Sequence, residues 1–324
     1  MKLRNIFMLC GIVGLAIVII LNGHQFGSFW HLLKNLRWYI LALIIVIQIA
    51  SYYVNALYYR SILKVFSYNI SVERLFEGAL ATNFVNYILP SVGLAGAGYL
   101  SQVLSPEVPR GEGVLAQLMR YALSALAVLV MMPVGFIVIF FSNDSGRPIV
   151  KITLASAAAI IVLALAIVIF IQQETVLRRF ANWLLKVAQR LRPSLNAAST
   201  RYFIDEFYIG YRAMIKQKRR MLIPFGWSMV YIIIEIFTLY MAFLAFGKVV
   251  NPGIVIMAYL FANIASIFGG VFISTGIFEI GMIGTLVALG LPFVLAFSIT
   301  TVYRVLNLLI GLPPGFYFYR KYLP

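Results

Sequence analysis

Cysteine, histidine and charged residues are all scarce in this chain of 324 residues. It contains one cysteine, Cys10, and two histidines, which excludes a disulfide framework and a metal centre built on several such side chains. Charged residues make up 11% of the sequence, whereas an average soluble domain carries roughly a quarter. Hydrophobic residues make up 62%. This composition predicts an all-α integral membrane protein.

Acidic residues are outnumbered by basic ones, 10 against 26, which gives a net charge of +16. Eleven of the basic residues fall between Arg178 and Arg220, in a loop (residues 172–221) that two apolar runs enclose. Basic loops of membrane proteins stay on the cytoplasmic side, against anionic headgroups. The charge therefore indicates a cytoplasmic loop, and we expect no nucleic-acid partner.

Six apolar segments are predicted to cross the bilayer. They are residues 6–21, 38–59, 114–141, 149–171, 222–246 and 293–319. No small-residue cleavage site follows the first segment, so we expect a retained helix there, not a signal peptide.

Two further apolar segments, residues 78–104 and 254–290, are interrupted by polar residues, glycines and, in the first, Pro90. Proline disfavours helix at the residue before it, and broken apolar segments are typical of re-entrant hairpins. If residues 78–104 crossed the bilayer, the basic loop would lie outside, against the orientation rule. We therefore predict two re-entrant hairpins.

The predicted segments fall into two halves, residues 1–141 and 142–324. Each half holds two spans, a hairpin and a third span, and the halves begin on opposite sides of the membrane. This is an inverted-topology repeat, which in transporters places the substrate site between the halves. Both termini are predicted to be cytoplasmic, in the cell membrane.

Two arginines, Arg120 and Arg304, lie within the spans that follow the hairpins. Charged side chains at membrane depth are costly, so they suggest a function, and guanidinium groups bind phosphate through two parallel hydrogen bonds. Helix N-termini near Gly93 and Gly276 would add free N–H groups. The combination predicts a site for an anionic lipid headgroup.

A structural alternative exists for both arginines: Arg120 would pair with Glu112, and Arg304 with Glu279, only to neutralise charge. Glu235, in the middle of the fifth span, is either protonated or paired, and is a candidate for proton coupling. Other polar groups are expected to satisfy the hairpins by hydrogen bonds or to contact substrate. These are Asn83, Asn86, Asn263, Ser274 and Thr275.

The chain resembles the transmembrane domain of lysylphosphatidylglycerol synthases and their stand-alone flippase-like relatives. The first half carries N-x-x-L-P-S-x-G, from Asn86 to Gly93, and then Arg120. The second half carries S-T-G-I-F-E, ending at Glu279, then Tyr303-Arg304, and then a Pro-Pro-Gly ending. It departs from the family where an apolar stretch follows Gly93 and where Ile-Ser-Thr replaces Pro-Gly-Gly. The resemblance implies a stand-alone member without the aminoacyl-transfer domain.

We expect a flippase that moves an anionic or glycosylated lipid headgroup through a polar cavity between the halves. Membrane lipids would be its partners, no cofactor is expected, and a homo-oligomer is compatible with this function. No G-x-x-x-x-G-K-[ST] phosphate loop occurs, so movement would be downhill or ion-coupled. The alternatives are a membrane-embedded headgroup transferase with Glu279 as general base, or an accessory subunit of a lipid-modifying complex. We expect a non-enzyme.

Overall fold

The computed structural model describes residues 36–88, 94–141, 218–269 and 276–322, together with single positions 155, 158 and 162. All regular structure in these ranges is helical. The helices are α1 Trp38–Val65, α2 Val72–Ile88, α3 Leu94–Leu104, α4 Arg110–Phe140, α5 Lys218–Ala245, α6 Pro252–Gly269, α7 Ile277–Ala288 and α8 Phe293–Lys321. The predicted span 6–21, nearly all of 149–171 and most of the basic loop lie outside the described residues.

Four helices, α1, α4, α5 and α8, are long and apolar enough to cross a membrane. They correspond to four of the predicted spans, which are confirmed as helices. The largest boundary difference is in α1, which continues past predicted residue 59 to Val65 and ends just before Ser67, at a φ of 69°. Arg60 and Lys64 do not end this helix, because the C-terminal end of a helix carries a partial negative charge that favours basic side chains.

The other four helices form two pairs of short helices, with α2 packed on α3 and α6 packed on α7. The predicted break at Pro90 lies in residues 89–93, and that at Gly270 in residues 270–275, both outside the described residues. The outer ends of the first pair lie together, because Arg74 at the start of α2 donates to the Val103 carbonyl in α3 at 2.8 Å and pairs with Glu107.

The predicted start of the first hairpin is also wrong: α2 begins at Val72, not at residue 78, and has 17 residues instead of about a dozen. The added residues include Glu73, Arg74 and Glu77, whose charges are unfavourable in lipid. In the structure Arg74 and Glu77 have ionic partners, Glu107 and Lys321, so the helix can include them.

The order long, short, short, long occurs twice. Helices α1 to α4 have 28, 17, 11 and 31 residues, and α5 to α8 have 28, 18, 12 and 29. The packing repeats as well: α2 contacts α8 as α6 contacts α4, and α4 contacts α5 as α8 contacts α1, while α1 and α5 pack on each other. Exchanging the two four-helix units therefore leaves the pattern of helix contacts unchanged.

Glycines permit close approaches between the units. A Cβ atom at Gly135 of α4 would lie 2.8 Å from Ile256 Cγ2 of α6, and one at Gly315 of α8 would lie 2.8 Å from the Leu80 carbonyl oxygen of α2. Small residues commonly allow such close packing between membrane helices. The same kind of contact thus holds both equivalent helix pairs.

Candidate functional site

A polar stripe runs along one face of the otherwise apolar helix α1. Ser51, Tyr52 and Asn55 follow Gln48 by three, four and seven residues, so the four side chains share a face of the helix. All four are buried. Their partners lie on α4, α5 and α8, which makes α1 the helix that connects the polar groups of the interior.

The Glu235 carboxylate of α5 lies at the centre of these contacts and is 4% exposed. Ser51 Oγ donates to Glu235 Oε1 at 2.6 Å, and Gln48 Nε2 donates to the same oxygen at 3.2 Å. The Tyr303 hydroxyl of α8 donates to Oε2 at 2.6 Å. Within the described ranges no lysine or arginine forms an ion pair with this carboxylate, so three neutral donors satisfy it.

Asn307, one turn after Tyr303 on α8, extends the network. Gln48 Nε2 also donates to Asn307 Oδ1, and the Tyr52 hydroxyl donates to the Asn307 carbonyl at 3.4 Å. One connected set of hydrogen bonds therefore joins α1, α5 and α8. Connected polar networks of this kind fix the relative positions of the helices that carry them.

Arg120 of α4 is buried, with 9% exposure. Its Nη1 donates to Asn55 Oδ1 at 3.3 Å, and its guanidinium carbon lies 5.3 Å from the Tyr59 ring centroid and 5.1 Å from that of Tyr121. Aromatic faces attract such a cation. Arg120 therefore rests between two rings, with an amide as its polar partner.

The predicted pairing of Arg120 with Glu112 is not what the structure has. Glu112 lies two turns, about 12 Å, away along the same helix, and its carboxylate is hydrogen-bonded to Tyr68, which raises the pKa of that phenol. Among the described residues no carboxylate forms an ion pair with Arg120. The positive charge is thus buried without a direct counter-ion.

Two buried donor atoms, one of Arg120 and one of its neighbour Gln117, have no hydrogen-bond partner in the described part of the chain. They are Nε of Arg120 itself and Nε2 of Gln117, one turn earlier on α4 and fully buried. A buried donor without an acceptor costs on the order of 1–3 kcal/mol. The Arg120 region therefore has unused capacity for an acceptor or an anion.

Arg304 of α8 is half-buried and does have the predicted acidic partner. Its Nε lies 2.6 Å from Glu279 Oε1, and its Nη1 donates to the Tyr87 hydroxyl at 3.3 Å. The guanidinium carbon lies 5.1 Å from the Tyr87 ring and 5.3 Å from the Phe278 ring. Both arginines thus lie between two aromatic rings, but only Arg304 carries its own counter-ion.

Glu279 has a second role at the start of α7. Its Oε2 accepts a hydrogen bond from the N–H of Gly276 at 3.0 Å, and Gly276 adopts a φ of 104°, which glycine reaches readily. One of the N–H groups predicted to be free near Gly276 is therefore occupied by Glu279 of the same helix. The corresponding prediction at Gly93 lies outside the described residues.

The predicted asparagines have separate places. Asn86 accepts from the Gly96 N–H at 3.1 Å and donates to the Tyr121 hydroxyl at 3.3 Å, so it joins α2, α3 and α4. Asn263 donates to the Tyr259 carbonyl of its own helix at 2.8 Å, and Asn83 is half-buried in α2. Ser274 and Thr275 lie outside the described residues.

Sequence reasoning missed Gln48, Ser51, Asn55, Gln117 and Asn307. A signal was present for the first three, because polar residues at helical spacing in an apolar segment indicate a buried polar face. It also missed Glu77, whose carboxylate oxygens accept from Lys321 Nζ at 2.9 and 2.8 Å and from the Tyr322 hydroxyl at 2.6 Å. In the described ranges, no three His, Cys, Asp or Glu residues group as a metal ion would need.

Comparison with known families gives one result. A family model described as the lysylphosphatidylglycerol synthase TM region matches residues 6–315, nearly the whole chain. Searches of curated proteins and of solved structures gave no significant match. The match extends across both four-helix units and the polar network between them.

Proposed function

The chain belongs to the lysylphosphatidylglycerol synthase TM region family, and we propose from this membership and the buried polar network that it moves a lipid between membrane leaflets. The lipid carries an anionic or glycosylated headgroup. The family match and the four long apolar helices establish a multi-pass membrane protein. The proposal of lipid transport is based on the polar side chains buried between the helices.

The observation that carries the proposal is the run of polar contacts between the two arginines. Arg120 is bound to Asn55, and one turn earlier on α1 Ser51 is bound to Glu235. Glu235 is bound to Tyr303, and the next residue of α8 is Arg304. A headgroup could pass along these groups while its acyl chains stay in lipid, against the exposed apolar faces of α1 and α4.

The symmetry of the helix contacts supports a repeat of the halves 1–141 and 142–324, and we propose that this repeat is inverted. Asn83 and Asn263 hold the same position in α2 and α6, and Asn55 and Glu235 the same position in α1 and α5. The Arg74–Glu107 pair supports re-entry of the first hairpin, since it joins the ends of α2 and α3. We propose six spans, two re-entrant hairpins and cytoplasmic termini in the cell membrane.

A transport role fits Glu279 better than catalysis does. A general base needs a carboxylate oxygen that is free to take a proton from substrate. Both oxygens of Glu279 are engaged, one by Arg304 and the other by the Gly276 N–H. We therefore propose a non-enzymatic protein.

The test uses purified protein in vesicles that contain fluorescent phosphatidylglycerol or a fluorescent glycolipid, with a membrane-impermeant quencher added outside. Wild-type protein is expected to expose inner-leaflet label to the quencher. Arg304→Ala and Arg120→Ala are each expected to slow this exchange at least tenfold. Arg320→Ala is the matched control, since Arg320 lies on α8 but is exposed.

The outcomes separate the candidate functions. Wild-type protein that leaves both labelled lipids in their leaflet contradicts the transport proposal. A change in the mass of the lipid headgroup would instead indicate a transferase, and neither exchange nor product would indicate an accessory subunit. If Arg320→Ala slowed lipid exchange as much as the other two variants do, the slowing would be due to a loss of folded protein and not to the loss of a headgroup site.

A further inference from the structure

We infer that an anionic headgroup moves together with one proton, and that Glu235 carries this proton. The inference rests on the proposed transport function and adds its coupling ion. It comes from the balance of buried charges together with the chemistry of the groups that surround Glu235. The polar network and the unpaired donors at Arg120 supply the geometry.

Among the described residues, the buried charges of the interior balance before any headgroup enters. In the described part of the chain the buried charged residues are Arg120, Glu235 and Glu77, and Glu77 is paired with Lys321. The less deeply buried Arg304 is paired with Glu279. A net charge in the apolar part of a membrane is strongly unfavourable. A phosphodiester headgroup adds one negative charge, so a proton must enter with it if the interior is to remain neutral.

Glu235 is the present counter-charge of Arg120, although the two side chains do not form an ion pair. Ser51 binds Glu235, and Asn55 binds Arg120. Ser51 and Asn55 are one turn apart on α1, about 6 Å along the axis. A headgroup phosphate that accepts from Arg120 and from unpaired Gln117 Nε2 would therefore be repelled by ionised Glu235, and protonation of Glu235 removes that repulsion.

The partners of Glu235 suit both protonation states. Ser51 and Tyr303 contribute hydroxyl groups, which can accept a hydrogen bond as well as donate one. These two hydroxyl groups can therefore rotate and accept a hydrogen bond from the protonated, neutral carboxyl group of Glu235. Glu279 differs, because protonation there would break its ion pair with Arg304.

The other ionisable groups around Glu235 do not exchange protons near neutral pH. They lie on α5 itself, on the four helices that pack on it, α1, α4, α6 and α8, and on α2. They are Tyr52 of α1, Tyr87 of α2, Arg120 of α4, Tyr231 of α5, Tyr259 of α6, and Tyr303 and Arg304 of α8. Phenols ordinarily titrate near pH 10 and arginine above pH 12. Glu235 is therefore the group of this set that takes up the proton.

Movement of a monovalent headgroup with one proton carries no net charge, which gives a sharp test on wild-type protein. Vesicles with fluorescent phosphatidylglycerol are held at a fixed pH difference or, separately, at a fixed membrane potential. The leaflet ratio of the label is expected to shift about tenfold per pH unit, towards the alkaline side. A fixed potential alone is expected to leave the ratio unchanged.

Opposite results overturn the inference. If the leaflet ratio of the label follows the membrane potential and does not respond to the pH difference, the headgroup moves without a proton and carries its negative charge across. A ratio that responds to neither gradient, with exchange still present, also excludes proton coupling. Absence of exchange under all conditions contradicts the transport function itself, so the two failures are distinguishable.

Variants assign the proton to its residue. Glu235→Gln keeps a polar side chain but cannot exchange a proton, and it is expected to abolish the response to the pH difference and to make the ratio follow the potential. Glu235→Asp is expected to restore the pH response. Glu107→Gln, at an exposed carboxylate, is the matched control and should respond like wild type. A tenfold response that persists in Glu235→Gln shows that another group carries the proton.

Discussion

Tyr303 donates its hydroxyl hydrogen to Glu235 at 2.6 Å, and this single bond ties α8 to the centre of α5. The neighbouring residue of α8, Arg304, points about 100° away around the helix and pairs with Glu279 at the start of α7. Two adjacent residues of one helix thus hold the two acidic groups of the second unit. A displacement of α8 would change both contacts together.

The ion pair between Arg304 and Glu279 is expected to contribute to stability. Glu279→Gln removes the charge that pairs with Arg304 and weakens the cap on the Gly276 N–H. We expect a loss of about 1–2 kcal/mol, since the pair is partly exposed and a helix cap is worth about 1 kcal/mol. Thermal unfolding of the purified protein in detergent measures it.

Glu107→Gln is the control for that experiment, because Glu107 also pairs with an arginine, Arg74, but at an exposed position. Surface pairs contribute about 0–1 kcal/mol. If both variants lowered the unfolding temperature by the same amount, the Arg304–Glu279 pair would contribute no more to stability than the exposed pair does.

The close contact between α8 and α2 predicts that Gly315 tolerates no side chain. A methyl group at Gly315→Ala would lie 2.8 Å from the Leu80 carbonyl and 2.9 Å from Phe84 Cβ, so the helices must separate. We expect a destabilisation of roughly 1–3 kcal/mol. Gly284→Ala is the control, because nothing lies within 4 Å of its added Cβ, and it should be neutral or slightly stabilising. Equal unfolding temperatures for the two variants would contradict the close packing.

Much of the helix arrangement could be predicted because lipid imposes a simple rule on composition. Apolar length placed α1, α4, α5 and α8, and the interruptions placed the two pairs of short helices. The pairing of Arg304 with Glu279, stated from the sequence as the structural alternative, is present in the structure. These features depend on the local sequence alone.

The rest depended on contacts between distant segments. Gln48 and Glu235 are far apart in sequence, and nothing local shows that a polar face of α1 meets a carboxylate of α5. The same holds for Glu77, which could join α2 only because Lys321 reaches it from the end of α8. The structural alternative of a pair between Arg120 and Glu112 is wrong, because Glu112 lies two turns away along the same helix, whereas Asn55 is near in space.

The contact of the α8 end with α2 is expected to weaken at high pH. Burial, followed by the hydrogen bond to Glu77, raises the pKa of Tyr322 to about 12, against about 10 in an unfolded chain. The neutral phenol therefore stabilises the folded state fully below pH 10, and this contribution is lost as the pH rises from 10 through 12.

Tyr322→Phe isolates this contribution. Below pH 10 the variant is expected to be less stable than wild type, by less than about 1 kcal/mol because the hydroxyl is partly exposed. Unfolding temperatures of both proteins from pH 8 to pH 12 should converge at the alkaline end. A difference that stays constant across this range would show that Tyr322 does not stabilise the fold through its neutral hydroxyl.

Re-entry of both hairpins makes a prediction about sidedness. If α2 and α3 return to the side from which they start, Asn69 and Ser105 lie on the same side of the membrane. Lys248 and Pro292, at the equivalent ends of the second pair, lie together on the opposite side. In a background with Cys10 replaced by serine, single cysteines at these exposed positions are labelled in intact cells with a membrane-impermeant maleimide.

Only Lys248→Cys and Pro292→Cys are expected to be labelled, since the positive-inside rule places the ends of the first pair in the cytoplasm. If Asn69→Cys and Ser105→Cys differed from each other, the first hairpin would cross the bilayer and the inverted repeat would be wrong.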